Sequence, residues 1–155
     1  MASLIPATAR KASQEADLSQ SFWQRAAELG GLDEQQRLAA IERGWSSSWL
    51  SALRQHLHLK TADLEPLLAL SEATMARRAR EQGVLDLVAS ERLDRLMEEV
   101  SLAYGVFEQP ASTEAWLKAP HPLLHLASPL QHCRTAIGAG QVRRLLQALE
   151  QGSPV

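Results

Sequence analysis

From Ser90 onward the chain carries its longest run of apolar residues at helical spacing: Leu93, Leu96, Met97, Val100, Tyr104 and Phe107 recur every three or four positions. That interval lays them on one face of a helix, which must turn toward other elements to leave water. Shorter runs precede it. Asp17 to Leu29 reads as a helix with Phe22, Trp23, Ala26 and Ala27 among its apolar residues, after a loose tail over residues 1–12. Gly30-Gly31 then releases the chain from helical geometry. Asp33 is placed to cap the next helix, with Leu38, Ala39 and Ile41 on its inner face and Gly44 as its stop. Ser46-Ser47-Ser48 offers caps for a helix carrying Trp49, Leu50, Leu53 and Leu57.

Two short helices follow in close succession. Thr61 caps the first, which bears Leu64, Leu67 and Leu68, has Asp63 and Glu65 in its first turn, and tolerates Pro66 near its start. Ser71 caps the second, Glu72 to Glu81, and Gly83 stops it. A helix of about two turns, a short turn and another helix match a helix-turn-helix.

After the long amphipathic run, Gln109-Pro110-Ala111-Ser112 marks a boundary between modules. Ser112 or Thr113 is read as the cap of a helix holding Trp116 and Leu117, which must end by Pro120 and Pro122. Ser128-Pro129-Leu130-Gln131 combines a capping serine, proline at the first helical position and glutamine three after the cap. Gly138-Ala139-Gly140 is read as a separator before a last helix with Val142, Leu145, Leu146 and Leu149 on one face, ended by Gly152. The organisation is an N-terminal tail and helix over residues 1–30, a helix-turn-helix half over 31–108 and a small helical domain over 109–155.

Composition agrees with an all-α fold. Ala, Leu, Arg, Gln and Glu dominate the 155 residues, the hydrophobic share is 45 %, and the charged share is 22 %. Such a chain can form a packed core of helices. The net charge of −2 gives no overall pull toward nucleic acid, so any DNA contact must come from a local basic face or from a face supplied by a partner. One cysteine, Cys133, cannot form an intrachain disulfide, which fits a reducing compartment. The first residues lack a signal-peptide pattern, and no apolar run approaches the roughly 20 residues that span a bilayer. A cytoplasmic protein without membrane contact is expected.

From Gly105 to Gly152 the chain resembles the toxin-binding domain of the Xre/MbcA/ParS antitoxin family. The shared elements, in order, are Val106-Phe107, Trp116-Leu117, Pro120, Leu124, Ser128-Pro129-Leu130, Thr135, Gly138-Ala139, Val142 and Gly152. Leu64 to Arg78 looks like that family's Xre-type helix-turn-helix, so the resemblance covers roughly residues 40–152. Two places depart from the pattern. His125 and Leu126 stand where two glycines commonly follow the leucine, and Ala69 stands where a glycine often makes the bend of the helix-turn-helix. A left-handed turn residue is strained at alanine.

The resemblance implies a partner, a RES-domain toxin similar to ADP-ribosyl-transferring enzymes that consumes NAD. It implies an antitoxin whose C-terminal domain covers the toxin's cofactor cleft, and a homodimer whose helix-turn-helices repress the shared promoter. Arg77, Arg78 and Arg80, with Ser71, Glu72 and Thr74, are the candidate DNA-binding set, the arginines for phosphates or guanine edges. A plain solvated helix face is the alternative. In a dimer two such helices must reach major grooves about 34 Å apart. On the last helix Arg143, Arg144, Gln147, Glu150 and Gln151 form the polar side, which the resemblance turns from simple solvation into the candidate toxin-binding set.

Other polar residues are read as structural. His121 and His125 have a spacing that can hold a metal, but Pro122 interrupts the helix and no further ligand completes a set. Cys133 beside His132 is read as a buried cysteine, Glu98-Glu99 as the solvated side of the long helix, and Trp116 as core against the final helix. His56 and His58 are read as surface or helix-end residues. No glycine-rich phosphate loop or nucleophile motif is present, so neither catalysis nor a cofactor is expected. The alternatives to an antitoxin are a stand-alone helix-turn-helix transcription regulator and a polar-localisation adaptor.

Overall fold

A computed structural model describes residues 21–153. The tail over residues 1–12 and the start of the first helix at Asp17 lie outside them. The described residues form helices and one isolated antiparallel bridge between Ser46 and Val84. The elements are α1 (21–30), α2 (Glu34–Arg43), α3 (Ser48–His56), α4 (Thr61–Leu68), α5 (Glu72–Glu81), α6 (Leu87–Phe107), α7 (Pro110–Lys118), a 3-10 turn (Pro122–Leu124), α8 (Pro129–His132) and α9 (Ala136–Glu150). None of these helices is long and apolar enough to cross a membrane.

α6 is the axis of the molecule: α2, α4, α7 and α9 all pack on it. It is therefore buried on a wider arc than a one-faced amphipathic helix, and even Ser90, Asp94 and Glu99 lie inside. Leu93, Leu96 and Met97 meet Leu64 and Leu68 from α4 and Leu146 from α9 in one continuous core, each about 1 % exposed or less. A fully buried side chain of this size stabilises the fold by about 1.5–3 kcal/mol. α1 closes the core from one side. Its Trp23 ring stacks on Tyr104 of α6 at 5.0 Å, while Phe22 stacks on His56 at 4.6 Å and meets Trp49 edge-on.

The caps follow the sequence closely. Asp33 and Gln36 form a reciprocal capping box at α2, and Gly44 ends that helix at φ +88°. Ser71 accepts from the Thr74 amide at 3.1 Å, and Ser128 and Gln131 form a second capping box at α8. Two expected ends are shifted by one residue: Lys60 and not Thr61 is the N-cap of α4, and Gln82 at φ +50° ends α5 before Gly83. Three further boundaries differ from expectation. α6 begins at Leu87 because the Asp86 carboxylate accepts from the Ala89 amide. Ser90, read as the start, is buried one turn further in, where its hydroxyl donates to the Leu85 carbonyl and accepts from the Trp45 amide. α7 begins at Pro110 rather than at Ser112 or Thr113, since proline suits a first helical position, and the Thr113 hydroxyl bonds back to the Gln109 carbonyl at 2.8 Å.

The third difference concerns Gly138-Ala139-Gly140, which lies inside α9. Thr135 starts that helix by accepting from the Gly138 amide at 3.0 Å. A Cβ on Gly138 would stand 1.9 Å from the His132 carbonyl oxygen. The glycine is there so that α9 can press against the turn after α8, and it breaks nothing.

Candidate functional site

α4 and α5 form the helix-turn-helix. The bend is made by Ala69 at φ +53°, ψ +41°, the left-handed conformation expected to strain an alanine. α5 rests on α3 and α4 and buries a single residue, Met75. Ser71, Glu72, Arg77 and Arg80 are exposed, and Thr74 and Arg78 are half-buried. Arg77, Arg78 and Arg80 have no ion-pair partner among the described residues, so their guanidiniums are available to an incoming anion. Ser71 is partly spoken for, because its hydroxyl caps α5 and lies 2.9 Å from the Thr74 hydroxyl.

On α9 the inner face is Ala139, Val142, Leu145 and Leu146. Arg144, Gln147, Glu150 and Gln151 are exposed on the outer side. Ile137, Gly140, Arg144, Gln147 and Gln151 are spaced by three and four, so they form one continuous outward stripe. Arg143 is placed differently from its predicted companions. It is half-buried and grips α6: Nη2 donates to Glu98 Oε2 at 2.7 Å, and Nε donates to Glu99 Oε1 at 3.1 Å.

Arg37 of α2 reaches the same cluster from the opposite flank, donating to Asp94 Oδ2 at 2.6 Å and Glu98 Oε2 at 2.7 Å. One oxygen of Glu98 thus joins helices from both ends of the chain. Reading Glu98-Glu99 as a solvated side is corrected here: Glu99 is wholly buried and Glu98 half-buried. Burial drives the Glu99 carboxyl up, against the lowering effect of Arg143, to about 7. Burial tends to lower the Arg37 and Arg143 guanidiniums, but their bonds to the carboxylates outweigh it and leave both raised. Glu99 Oε2 and Asp94 Oδ1 are buried without a hydrogen-bond partner among the described residues. Sequence reasoning missed this cluster because its members are far apart in the chain. The usable signal was Asp94, which sits one residue from Leu93 inside the apolar period.

The remaining polar residues have local duties. His121 Nδ1 accepts from the Leu123 amide and caps the 3-10 turn. His125 and Leu126 both adopt left-handed backbone, φ +54° and +64°, at the positions where the resemblance has two glycines. His58 bonds Glu114 at 2.8 Å, and burial together with nearby His58 lowers the pKa of His56. Cys133 is buried, and burial pushes its thiol up to about 12, far from a reactive thiolate. Trp116 is half-buried, with its ring 5.6 Å from Phe107 and 6.2 Å from His121. It covers the end of α6, where a place in the core against the last helix was expected.

Two segments of the chain match known domain families. Residues 36–98 match the antitoxin Xre-like helix-turn-helix domain, and residues 102–152 match the antitoxin Xre/MbcA/ParS C-terminal toxin-binding domain. The two matches meet inside α6. The fold and these segments define a helix-turn-helix protein that ends in a toxin-binding module. The curated proteins include a relative named Antitoxin Xre from Pseudomonas putida strain KT2440. It is 25 % identical over 112 residues, which are 72 % of this chain and 69 % of that protein. The two matched segments, which lie within residues 36–152, are both antitoxin domains of the Xre type, and to antitoxins of that type this chain is similar.

Proposed function

We propose that this chain neutralises a RES-domain, NAD-consuming toxin in the cytoplasm by laying its C-terminal module over the toxin's active cleft, and that it acts by occupancy alone. We further propose that a homodimer places two α5 helices in operator DNA and represses its own operon. The observation that carries the first reading is the exposed stripe of α9 within the segment that matches a toxin-binding domain. Arg144, Gln147, Glu150 and Gln151 offer donors and acceptors to the polar groups of a cofactor cleft. Arg143 contributes by fixing α9 on α6 while keeping one edge toward solvent. The second reading is supported by Arg77 and Arg80 of α5, which are exposed and have no ion-pair partner among the described residues. Phosphate contacts from Arg77 and Arg80 supply affinity, and an arginine on a guanine edge supplies sequence preference.

Co-expression with the product of the adjacent gene, which the proposal requires to be a RES-domain toxin, tests it. Cellular NAD and growth are maintained when both are present, and both collapse when the toxin is expressed alone. Unchanged toxicity in the presence of the chain would overturn it and leave a stand-alone regulator. Footprinting with the purified chain, alone and with the toxin, tests the operator contact. Absence of protection in both conditions would remove that part.

A further inference from the structure

A groove of about 380 Å³ runs between α2 and the first half of α9, with α6 as its floor. Its walls include Leu38 and Ile41 of α2 and Ala136 and Gly140 of α9. Leu38, expected on the inner face of α2, is 51 % exposed. With Ile41 it gives the α2 wall an apolar rim. The floor is different, because it holds the Arg37–Glu98–Arg143 bridge described above.

We propose that this groove receives a segment of the toxin partner that carries an arginine or lysine between aliphatic residues. The inference rests on the antitoxin reading and names a second contact beyond the α9 stripe. Three observations carry it. First, the charges do not balance. Along the whole groove four carboxylates face three guanidiniums, so the site lacks a cation. Second, Asp94 lines the groove, is only 3 % exposed, and leaves Oδ1 without a hydrogen-bond partner among the described residues. A buried acceptor without a donor is costly, and an incoming guanidinium or ammonium removes that cost while supplying the missing charge. Third, Gly140 belongs both to the groove wall and to the outward stripe of α9. A partner seated on Arg144 and Gln147 extends into the groove without a break.

The test is titration calorimetry and association kinetics of the full chain against a catalytically inactive form of the proposed RES-domain toxin. Glu34→Lys with Glu91→Lys reverses charge on the groove walls, and Leu38→Asp removes the apolar rim. All three positions are exposed, and unchanged melting curves confirm that both variants fold. Each variant is expected to weaken the Kd by about tenfold, and the charge pair also slows association and flattens its dependence on salt. If the wild-type chain binds the toxin and both variants bind equally well, the groove assignment is overturned while the antitoxin reading stands. Failure of the wild-type chain to bind overturns both. Unchanged toxin affinity with an altered sedimentation profile of the chain alone gives the groove to a second copy and also overturns the proposal.

Discussion

Glu99 sits wholly inside the fold with one oxygen bonded to Arg143 and the other to nothing among the described residues. Its pKa, raised by burial from 4.5 to about 7, makes the folded state hold a proton that the unfolded chain releases. The stabilisation from that proton is complete below the unfolded value of 4.5 and is lost as the pH rises through about 7. Glu99→Gln should therefore lose about 2 kcal/mol of the stability change between about pH 5 and about pH 8 that the parent shows. Urea unfolding across that range checks it, and an identical slope in parent and variant contradicts it. Ala69 and Leu126 pose a different problem, because both hold left-handed backbone with a side chain. A left-handed L-residue is strained by about 1–2 kcal/mol, part of which glycine gives back through its greater freedom when unfolded. Ala69→Gly and Leu126→Gly are each expected to gain about 0.5–1 kcal/mol, since both positions are exposed and lose little packing. A lower melting temperature in either would mean that the side chain makes a contact worth more than the strain. The alanine bend was legible from the resemblance. The buried acid was not, because its partner lies 44 residues away.

Among the elements, most helices were legible because caps and apolar periods agree: Asp33, Ser71, Ser128 and Gly44 act where the sequence places them. Where the reading failed, a residue type with two uses was given the commoner one. Gly138 is the plainest case, since glycine both ends helices and permits close approach, and only tertiary packing decides between the two. Gly138→Ala should cost about 2–3 kcal/mol, because the nearest atom is a backbone carbonyl that cannot swing aside. The loss should appear as early exchange of α9 amides while α3–α5 stay protected, and uniform loss of protection would contradict it. Ser112 and Thr113 failed as caps for a similar reason, since Pro110 already supplied the helix start. For α5 the exposure of Arg77 and Arg80 fits the reading of a DNA-facing helix. Replacing both by alanine should weaken operator binding by about tenfold or more and reduce its salt dependence, with no effect on stability beyond a few tenths of a kcal/mol. A gel-shift titration at two salt concentrations measures both effects, and unchanged affinity would return the arginines to simple solvation.

At the scale of the molecule, α6 passes without a break from the helix-turn-helix segment into the toxin-binding segment, and Arg37 and Arg143 fasten the two to it. The halves share a core, so α9 is presented by a rigid support. Pre-organised surfaces of this kind bind with less ordering cost than mobile ones. The sequence showed two modules but not their union, because Gln109-Pro110 reads as a boundary and Glu98-Glu99, which tie α2 and α9 to α6, read as a solvated side. The account stands or falls on the outward stripe of α9. The direct measurement is NAD consumption by the proposed RES-domain toxin, purified and titrated with this chain and with a form carrying Arg144→Ala, Gln147→Ala, Glu150→Ala and Gln151→Ala. The account predicts that the parent chain halts NAD loss near stoichiometric addition and that the altered form does so only in large excess. Equal inhibition by the two forms, or continued NAD loss under excess parent chain, would contradict it.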